Sequence, residues 1–337
     1  MAIQRIKIEE LTGCDPKAIP ESVFSSATPV ILRGLVESWP MVQASKESPQ
    51  QSLEYLLGFK TEEPITVFYG EPEIDGRVFY NHDYSGFNFE TLRLPLQKIA
   101  SELVKNLSKK QSPMLYVGST MVDKWLPGFR AENDIEFQDN DPLVSLWMGN
   151  QSRIAAHYDF ASNIACCVAG QRRFTLFPPE QIDNLYIGPI DFTPAGQPIS
   201  LVDFKHPDFD RFPKFSQALD SALIIDLEPG DALLIPSMWW HHVESLDAFN
   251  ALVNYWWRSS PNYLGTPLNV LHHALMGLRD LPTEQRDIWQ NLFEHYIFNV
   301  KDENFEHIPE FARGVLNKMD EKKAADIRNL LISRLQR

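Results

Sequence analysis

The chain has 337 residues, 44% of them hydrophobic and 12% aromatic, a composition that supports an ordinary globular core in one large domain or two. Its net charge is −14 without a block of Lys or Arg, which argues against a nucleic-acid partner because such binding needs a basic surface. No apolar run approaches the roughly 18 residues of a membrane span, the first eight residues lack the apolar core of a signal peptide, and only three cysteines are present, so we expect a cytoplasmic protein without a membrane partner.

Residues 1–113 have the pattern of an N-terminal α/β part that packs on a larger core. Pro29–Leu32 predicts a short strand, whereas Gln51–Leu57 and the stretch from Leu96 to about Leu107 have apolar residues at helical spacing. Pro95 stands just before the second helix, where a missing N–H costs nothing.

From residue 114 to about 260 the pattern changes to short apolar strands, which predict a barrel or a sandwich. The turn Glu228–Asp231 has proline and glycine where a tight turn needs them. A Pro- and Asp-rich insert at residues 180–218 interrupts the strands. The predicted strands are Met114–Val117, Leu143–Met148, Ile154–Asp159, Asn163–Val168, Arg173–Phe177, Ala222–Leu227, Ala232–Ile235, His241–Ser245 and Ala251–Trp257.

Residues 261–337 predict a helical extension. Leucines recur at helical spacing from Leu268 to Leu278, a second apolar stripe runs from Ile288 to Tyr296, and Glu321–Leu335 repeats the pattern. Such a tail either packs on the core or pairs with its counterpart in a second subunit. Both alternatives remain open at this point.

The pair His157-Tyr158-Asp159 carries the most chemical information. Composition alone predicts roughly one His-x-acid pair in this chain. Three exist: His157/Asp159, His206/Asp208 and His242/Glu244. The second has proline in the middle of a polar stretch, which favours a loop, and the third points away from the face of its neighbour His241. Only the first pair lies between strand-like runs, where alternation puts both side chains on one face.

A third ligand from a distant strand, His241, completes two imidazoles and one carboxylate. This set leaves about half of an octahedral metal's positions open, which is the arrangement of non-haem Fe(II) oxygenases. Structural zinc sites usually close all four positions and favour Cys. The alternative is a satisfied polar cluster in a barrel core.

The segments His157–Pro179, Gly230–Asp231 and Ile235–Ser245 resemble the Jumonji-C and cupin-like 2-oxoglutarate oxygenases. That family folds as a double-stranded β-helix, so the resemblance implies a mainly β fold of the cupin or jelly-roll type with added α elements. The likeness is strongest to the asparaginyl hydroxylase type that acts on hypoxia-inducible factor, through Val202–Phe215 and Trp239–Ser245, and it runs from about residue 114 to 258.

The resemblance implies that His157, Asp159 and His241 hold Fe(II). It implies that Arg172 binds the distal carboxylate of the cosubstrate 2-oxoglutarate, at a position where the family has a lysine. Both side chains are cationic, and arginine can grip a carboxylate with two parallel hydrogen bonds.

Four further positions match residues around the cosubstrate. The resemblance implies that Tyr116 shares its distal carboxylate, that Asn163 and Asn254 lie near its metal-chelating end, and that Trp256 lines the pocket. The alternative for all four is a structural role in hydrogen bonding or core packing.

Two departures from the family pattern concern the ligands. A threonine that helps to bind 2-oxoglutarate is Ile154 here, and the Arg-Gln pair that grips the substrate amide aligns with Pro198-Ile199. The metal and cosubstrate site is therefore expected to be retained, while asparagine as the target is in doubt.

The resulting expectation is an Fe(II)- and 2-oxoglutarate-dependent dioxygenase that hydroxylates a side chain of a protein or peptide and releases succinate and CO2. The alternatives are a small-metabolite hydroxylase that uses the same site and a cupin module that binds metal without turnover. By the same resemblance, we expect a homodimer that forms through the C-terminal helices.

Overall fold

The computed structural model describes residues 8–137 and 141–336. The first seven residues, which carry most of the argument against a signal peptide, lie outside this part. The chain divides into two compact units, Met1–Trp257 and Arg258–Arg337. None of the helices in the described residues is long and apolar enough to cross a membrane.

Fourteen strands and nine α-helices form in the described part of the chain. The strands are β1 (Glu9–Thr12), β2 (Val30–Arg33), β3 (Ile65–Gly70), β4 (Arg77–Val78), β5 (Glu90–Leu94), β6 (Met114–Met121), β7 (Leu143–Gly149), β8 (Ser152–His157), β9 (Ser162–Ala169), β10 (Arg172–Phe177), β11 (Leu223–Leu227), β12 (Ala232–Ile235), β13 (Trp240–Ser245) and β14 (Asn250–Trp257). The helices are α1 (Glu21–Phe24), α2 (Pro40–Glu47), α3 (Pro49–Leu57), α4 (Leu96–Asn106), α5 (Val122–Trp125), α6 (Phe215–Asp220), α7 (Pro267–Gly277), α8 (Thr283–Phe293) and α9 (Glu321–Leu335).

Two sheets build the first unit. The nine-stranded sheet has the order β1-β2-β12-β9-β14-β7-β6-β3-β5, and the five-stranded sheet has the order β11-β10-β13-β8-β4. Their inner faces share one apolar cluster, in which Ala165 and Leu252 of the large sheet pack with Phe174 and Val243 of the small one. This cluster defines the barrel interior. The predicted mainly β fold with a jelly-roll core and added helices is confirmed.

Strand β14 shows how alternation separates the two faces of the large sheet. Leu252 points into the barrel interior, whereas Val253 and Tyr255 point outward and pack with Leu56 of α3 and Leu103 of α4. The N-terminal helices therefore cover the outer face of the large sheet, and alternate residues of each strand face the interior.

Three rows of directly opposite residues cross the inner face of β10, β13 and β8. From one end of the interior to the other, they are Leu176/His241/His157, Phe174/Val243/Ile154 and Arg172/Ser245/Ser152. A register shift between His241 and Val243 brings Ile154 and His157 to the same face although they are three residues apart. The rows lie two residues apart on β10, so an apolar row separates the histidines from Arg172.

The second unit contains α7, α8 and α9 with short helical turns between them. Arg328 of α9 donates to the carbonyl of Tyr263 at 2.9 Å, and the hydroxyl of Tyr263 donates to the carbonyl of Met319 at 3.2 Å. Many large apolar side chains of this unit are exposed, among them Val270, Met276, Ile288 and Phe298.

Candidate metal centre

His157, Asp159 and His241 meet at one end of the barrel interior. One ligand atom from each lies within 4.8 Å of the other two. The two histidines are directly opposite on β8 and β13, their ring centroids are 4.2 Å apart, and Asp159 Oδ2 lies 3.7 Å from His241 Nε2. Two imidazoles and one carboxylate in this arrangement can hold one metal ion.

Backbone carbonyls set the orientation of both rings. His157 Nδ1 lies 2.9 Å from the carbonyl oxygen of Ala155, and His241 Nδ1 lies 3.0 Å from that of Trp239. Because a carbonyl oxygen only accepts, Nδ1 carries the proton and Nε2 keeps a lone pair. Metal-binding histidines are commonly oriented in this way by the hydrogen bond of their other nitrogen.

The charge state of His241 also suits a metal ligand. Burial and the neighbouring His157 lower the pKa of His241, and the opposing effect of Asp159 does not compensate. The imidazole is therefore neutral at neutral pH, which is the form that coordinates metal.

Asp159 reaches the site by a route that differs from the predicted one. The strand was expected to run from Ile154 to Asp159, but β8 ends at His157. The chain leaves the sheet there because the carbonyl of Asp159 accepts a hydrogen bond from the backbone N–H of Met238, at 2.9 Å, rather than from a neighbouring strand. Strand alternation alone therefore does not position this carboxylate.

Arg172 occupies the far row of the interior and is only 1% exposed. Its Nε and Nη2 have no hydrogen-bond partner among the described residues. Burial lowers its pKa, and the nearby Tyr116 and Cys167 counteract this effect. A buried guanidinium that lacks partners is costly, so this position is complementary to an anion.

Tyr116 of β6 is buried on the same side of the interior. Burial raises the pKa of its phenol well above the ordinary value, with Arg172 acting in the opposite direction. The hydroxyl therefore stays protonated and can donate a hydrogen bond. The ring contacts Trp147, at 6.0 Å between centroids.

Asn163, Asn254 and Trp256 lie on adjacent strands of the large sheet. Asn254 Nδ2 donates to Asn163 Oδ1 at 3.1 Å, and Trp256 is directly opposite Asn163. Asn254 Oδ1 and Trp256 Nε1 are buried without a partner in the described chain. They leave one acceptor and one donor available inside the barrel.

The substrate-side positions lie elsewhere. Pro198 and Ile199 are buried, and Ile199 packs with Phe79, Tyr80 and Ala155. Ala155 alternates with Ile154 on β8 and so lies on the outer face of the small sheet. No polar group replaces the substrate-gripping Arg-Gln pair at these two positions.

His242 lies on the outer face of β13, away from His241. Its ring packs against Phe204 of the insert, with the centroids 4.5 Å apart. Burial lowers its pKa to about 3. The geometry thus separates two adjacent histidines into one candidate ligand and one residue packed under the insert.

Two interior serines were not singled out in the sequence. Ser152 and Ser245 share a hydrogen bond of 2.9 Å in the same row as Arg172. Alternation from His241 through Val243 predicts that Ser245 faces inward. On β8 the register shift interrupts the alternation, so the sequence does not predict that Ser152 also faces inward. Both hydroxyls add polarity to the Arg172 end of the interior.

The fold and this interior define a cupin-like protein. The chain belongs to the family described as the Cupin-like domain, whose profile matches residues 16–263. This finding confirms the predicted membership of the Jumonji-C and cupin-like group.

Several individual proteins resemble the chain. It is 25% identical over 327 residues to tRNA wybutosine-synthesizing protein 5 of Mus musculus, covering 86% of this chain and 94% of that protein. It is 34% identical over 265 residues to human HSPB1-associated protein 1, covering 74% and 51%. It is 24% identical over 237 residues to lysine-specific demethylase 8 of Xenopus tropicalis, covering 68% and 48%. The chain thus spans about half the length of the last two.

Proposed function

We propose that the protein is an Fe(II)- and 2-oxoglutarate-dependent dioxygenase that hydroxylates a side chain of a protein or peptide. The observation that carries the proposal is the buried guanidinium of Arg172, whose Nε and Nη2 have no hydrogen-bond partner among the described residues, in the same interior as the His157/Asp159/His241 group. Three candidate metal ligands alone are consistent with many cupins. Together with a buried position for an anion, they are consistent with a dicarboxylate that chelates the metal.

The three donors suit Fe(II). Imidazole and carboxylate are ligands of intermediate and hard character, and the set has no thiolate that would favour zinc or copper(I). A set of three protein ligands would leave part of the coordination sphere of an octahedral ion open for a cosubstrate. In this proposal, His157, Asp159 and His241 hold the metal, which when bound would supply oxidative decarboxylation of 2-oxoglutarate and oxidation of the substrate C–H bond.

The interior also suits the cosubstrate. On β10, Arg172 is four positions from Leu176, which lies opposite His241, and this spacing corresponds to roughly 13 Å along a strand. An arginine side chain and a short dicarboxylate together bridge such a distance. The intervening row of Phe174, Val243 and Ile154 is apolar, as the methylene carbons of 2-oxoglutarate require.

Polar groups at both ends would orient the cosubstrate. Arg172 would donate two hydrogen bonds to the distal carboxylate, and Tyr116 a third. Asn163 and Asn254 would contact its metal-chelating end, and Trp256 would line the pocket beside them. The aromatic rings of Trp147 and Trp256, 5.6 Å apart, would exclude water from the reacting atoms.

A protein or peptide substrate remains the preferred class. The net charge of −14 opposes a nucleic-acid substrate, although one relative is named as a tRNA wybutosine-synthesizing protein. Another is named as a lysine demethylase. Since Pro198 and Ile199 offer no side-chain hydrogen bonds, recognition of an asparagine amide at that position is not part of the proposal. A small-metabolite substrate is the second candidate.

Location and assembly belong to the same proposal. The three cysteines are free, which suits a reducing, cytoplasmic compartment. A homodimer through the second unit would cover its exposed apolar side chains. No membrane partner is proposed.

Turnover of 2-oxoglutarate without added substrate tests the proposal. Wild-type protein with Fe(II) and oxygen is expected to form succinate, and Asp159→Ala is expected to form none above background. His242→Ala is the matched control, because this histidine faces away from the site. Wild-type protein that leaves 2-oxoglutarate intact, with and without a panel of peptides and metabolites, would favour the non-catalytic cupin module.

A further inference from the structure

The turn Pro236–Trp239, which joins β12 to β13, touches two of the three candidate metal ligands. The backbone N–H of Met238 donates to the carbonyl of Asp159 at 2.9 Å. The carbonyl of Trp239 accepts from Nδ1 of His241 at 3.0 Å. A single turn therefore sets the backbone of one ligand and the ring of another.

Ser237 fastens this turn to the segment that follows Asp159. Its hydroxyl donates to the carbonyl of Phe160 at 2.7 Å, and its backbone N–H donates to Ser162 Oγ at 3.3 Å. Together with the bond from Met238, three hydrogen bonds join the two segments. They act where β8 has already ended, so the sheet ladder does not hold Asp159.

Met238 has an unfavourable backbone conformation that these hydrogen bonds restrain. Its φ is +69°, in the left-handed region that favours glycine. Conformations of this kind persist only where the surroundings hold them. Met238 is 38% exposed, so tight packing around it does not supply the restraint, and the hydrogen bonds of the turn do.

We infer that Ser237 is a positioning residue for the metal centre, acting through the backbone of Phe160 and Met238 on Asp159. The inference rests on the proposed function for the identity of the site. The two hydrogen bonds that Ser237 donates go to Phe160 and Ser162, and not to the carboxylate of Asp159 or to the imidazoles. Its hydroxyl determines where the Asp159 segment lies relative to the turn that orients His241, and thereby how well the three donors converge.

Direct measurement of metal affinity tests the inference without turnover. Co(II) is titrated calorimetrically into the full-length, metal-free chain. Ser237→Ala is expected to weaken Co(II) binding about tenfold or more, in the range seen when residues that support metal ligands are removed. Ser237→Thr keeps the hydroxyl and is expected to restore most of the affinity. Ser162→Ala, which removes the acceptor of the Ser237 N–H, is expected to weaken binding in the same direction.

Ser221→Ala is the matched control, since it deletes a hydroxyl that donates to the carbonyl of Ala218 at 2.9 Å, away from the metal centre. It is expected to bind Co(II) like the wild type. Ser237→Ala with wild-type affinity, even with a lowered melting temperature, overturns the inference and leaves the proposed function standing. A wild-type chain that binds no Co(II) overturns both.

Discussion

Arg172 and Arg173 are adjacent on β10 but have opposite surroundings. Arg173 is on the outer face, where its Nε and Nη2 donate to the carboxylate of Asp226 at 2.8 and 2.9 Å. The same two nitrogens of Arg172 are buried and have no partner in the described part of the chain. Because side chains alternate along the strand, Arg173 forms an ion pair at the surface and Arg172 faces the barrel interior.

Substitution of Arg172 is the residue-scale prediction for the cosubstrate. Arg172→Ala is expected to weaken 2-oxoglutarate binding by roughly 2–5 kcal/mol, the usual loss for a buried charge-assisted pair, while Mn(II) binding persists. Arg173→Ala should change neither property. Calorimetry of both variants measures these affinities. An unchanged 2-oxoglutarate affinity in Arg172→Ala would show that another cationic residue binds the distal carboxylate.

The metal ligands give a second prediction at this scale. His157→Ala and Asp159→Ala are each expected to abolish stoichiometric iron binding, because among the described residues these two and His241 are the three donors that converge. His242→Ala should retain one iron per chain. Metal analysis after anaerobic loading measures the iron content of each variant. Full iron content in either of the first two variants would rule out the assignment of that residue as a metal ligand.

The sequence predicted the candidate ligands, but the local geometry required the structure. The spacing of His157 and Asp159 was interpreted as strand alternation, and the strand in fact ends at His157. The hydrogen bonds from the distant turn Pro236–Trp239 bring Asp159 to the site, and no local pattern reveals contacts across nearly 80 positions. For the same reason, the role inferred for Ser237 had no signal in the sequence.

At the scale of elements, the insert at residues 180–218 is tied to the small sheet by an ion cluster. Asp203 of the insert accepts from Arg153 of β8 at 2.6 Å and lies 3.6 Å from Arg77 of β4. Lys205 pairs with Asp75 at 2.7 Å. Because Arg153 lies outside the barrel interior, its charge belongs to this cluster.

Asp203→Asn is expected to destabilise the protein by about 1–3 kcal/mol at pH 7, because it removes a charged partner from partly buried arginines. Burial alone would raise the pKa of Asp203, but Arg77 and Arg153 outweigh it and lower the pKa. The stabilisation is therefore complete above the ordinary Asp value of about 3.9 and is lost as the pH falls through the lower folded value.

Chemical unfolding of the wild type and Asp203→Asn at several pH values measures this difference. The gap should be constant from pH 7 to pH 5 and should shrink below about pH 4. Asp220→Asn, at an exposed position at the end of α6, is the control. Equal stability of wild type and Asp203→Asn at pH 7 would show that the cluster does not stabilise the insert.

Sequence periodicity located the core strands well and the surrounding elements less well. Ala232–Ile235 and Glu321–Leu335 were predicted with the bounds that form, and the apolar strands of residues 114–257 differ mainly at their ends. Strands β1, β3, β4 and β5 were missed. β5 (Glu90–Leu94) is an edge strand with a mostly exposed, polar sequence, so it has little hydrophobic signal. Pairing with β3 stabilises it instead.

At the scale of the whole molecule, the second unit exposes an apolar surface. On α8, Ile288 is 60% and Trp289 43% exposed, and Phe311 in a following turn is 93% exposed. Isolated exposed apolar residues are ordinary, but a concentration of them marks an interaction surface. A stable dimer requires roughly 1,200 Å² or more of total buried area, which paired helices of two subunits can supply.

The dimer is tested in the full-length chain. Ile288→Asp is expected to convert a dimer to a monomer at micromolar concentration, because it places a charge within the apolar surface. Gln285→Asp, an equally acidic change on the same helix, should leave the dimer intact. Light scattering provides the masses, and a monomeric wild type would contradict the proposed assembly.

Binding of 2-oxoglutarate to the metal-loaded chain tests the central claim most directly. Wild-type protein loaded with Mn(II) is expected to bind one 2-oxoglutarate per chain. The metal-free protein is expected to bind it much more weakly, since Arg172 then holds only one end. Absence of binding to the loaded protein, or equal affinity with and without metal, would contradict a site in which the His157/Asp159/His241 group and Arg172 hold one dicarboxylate between them.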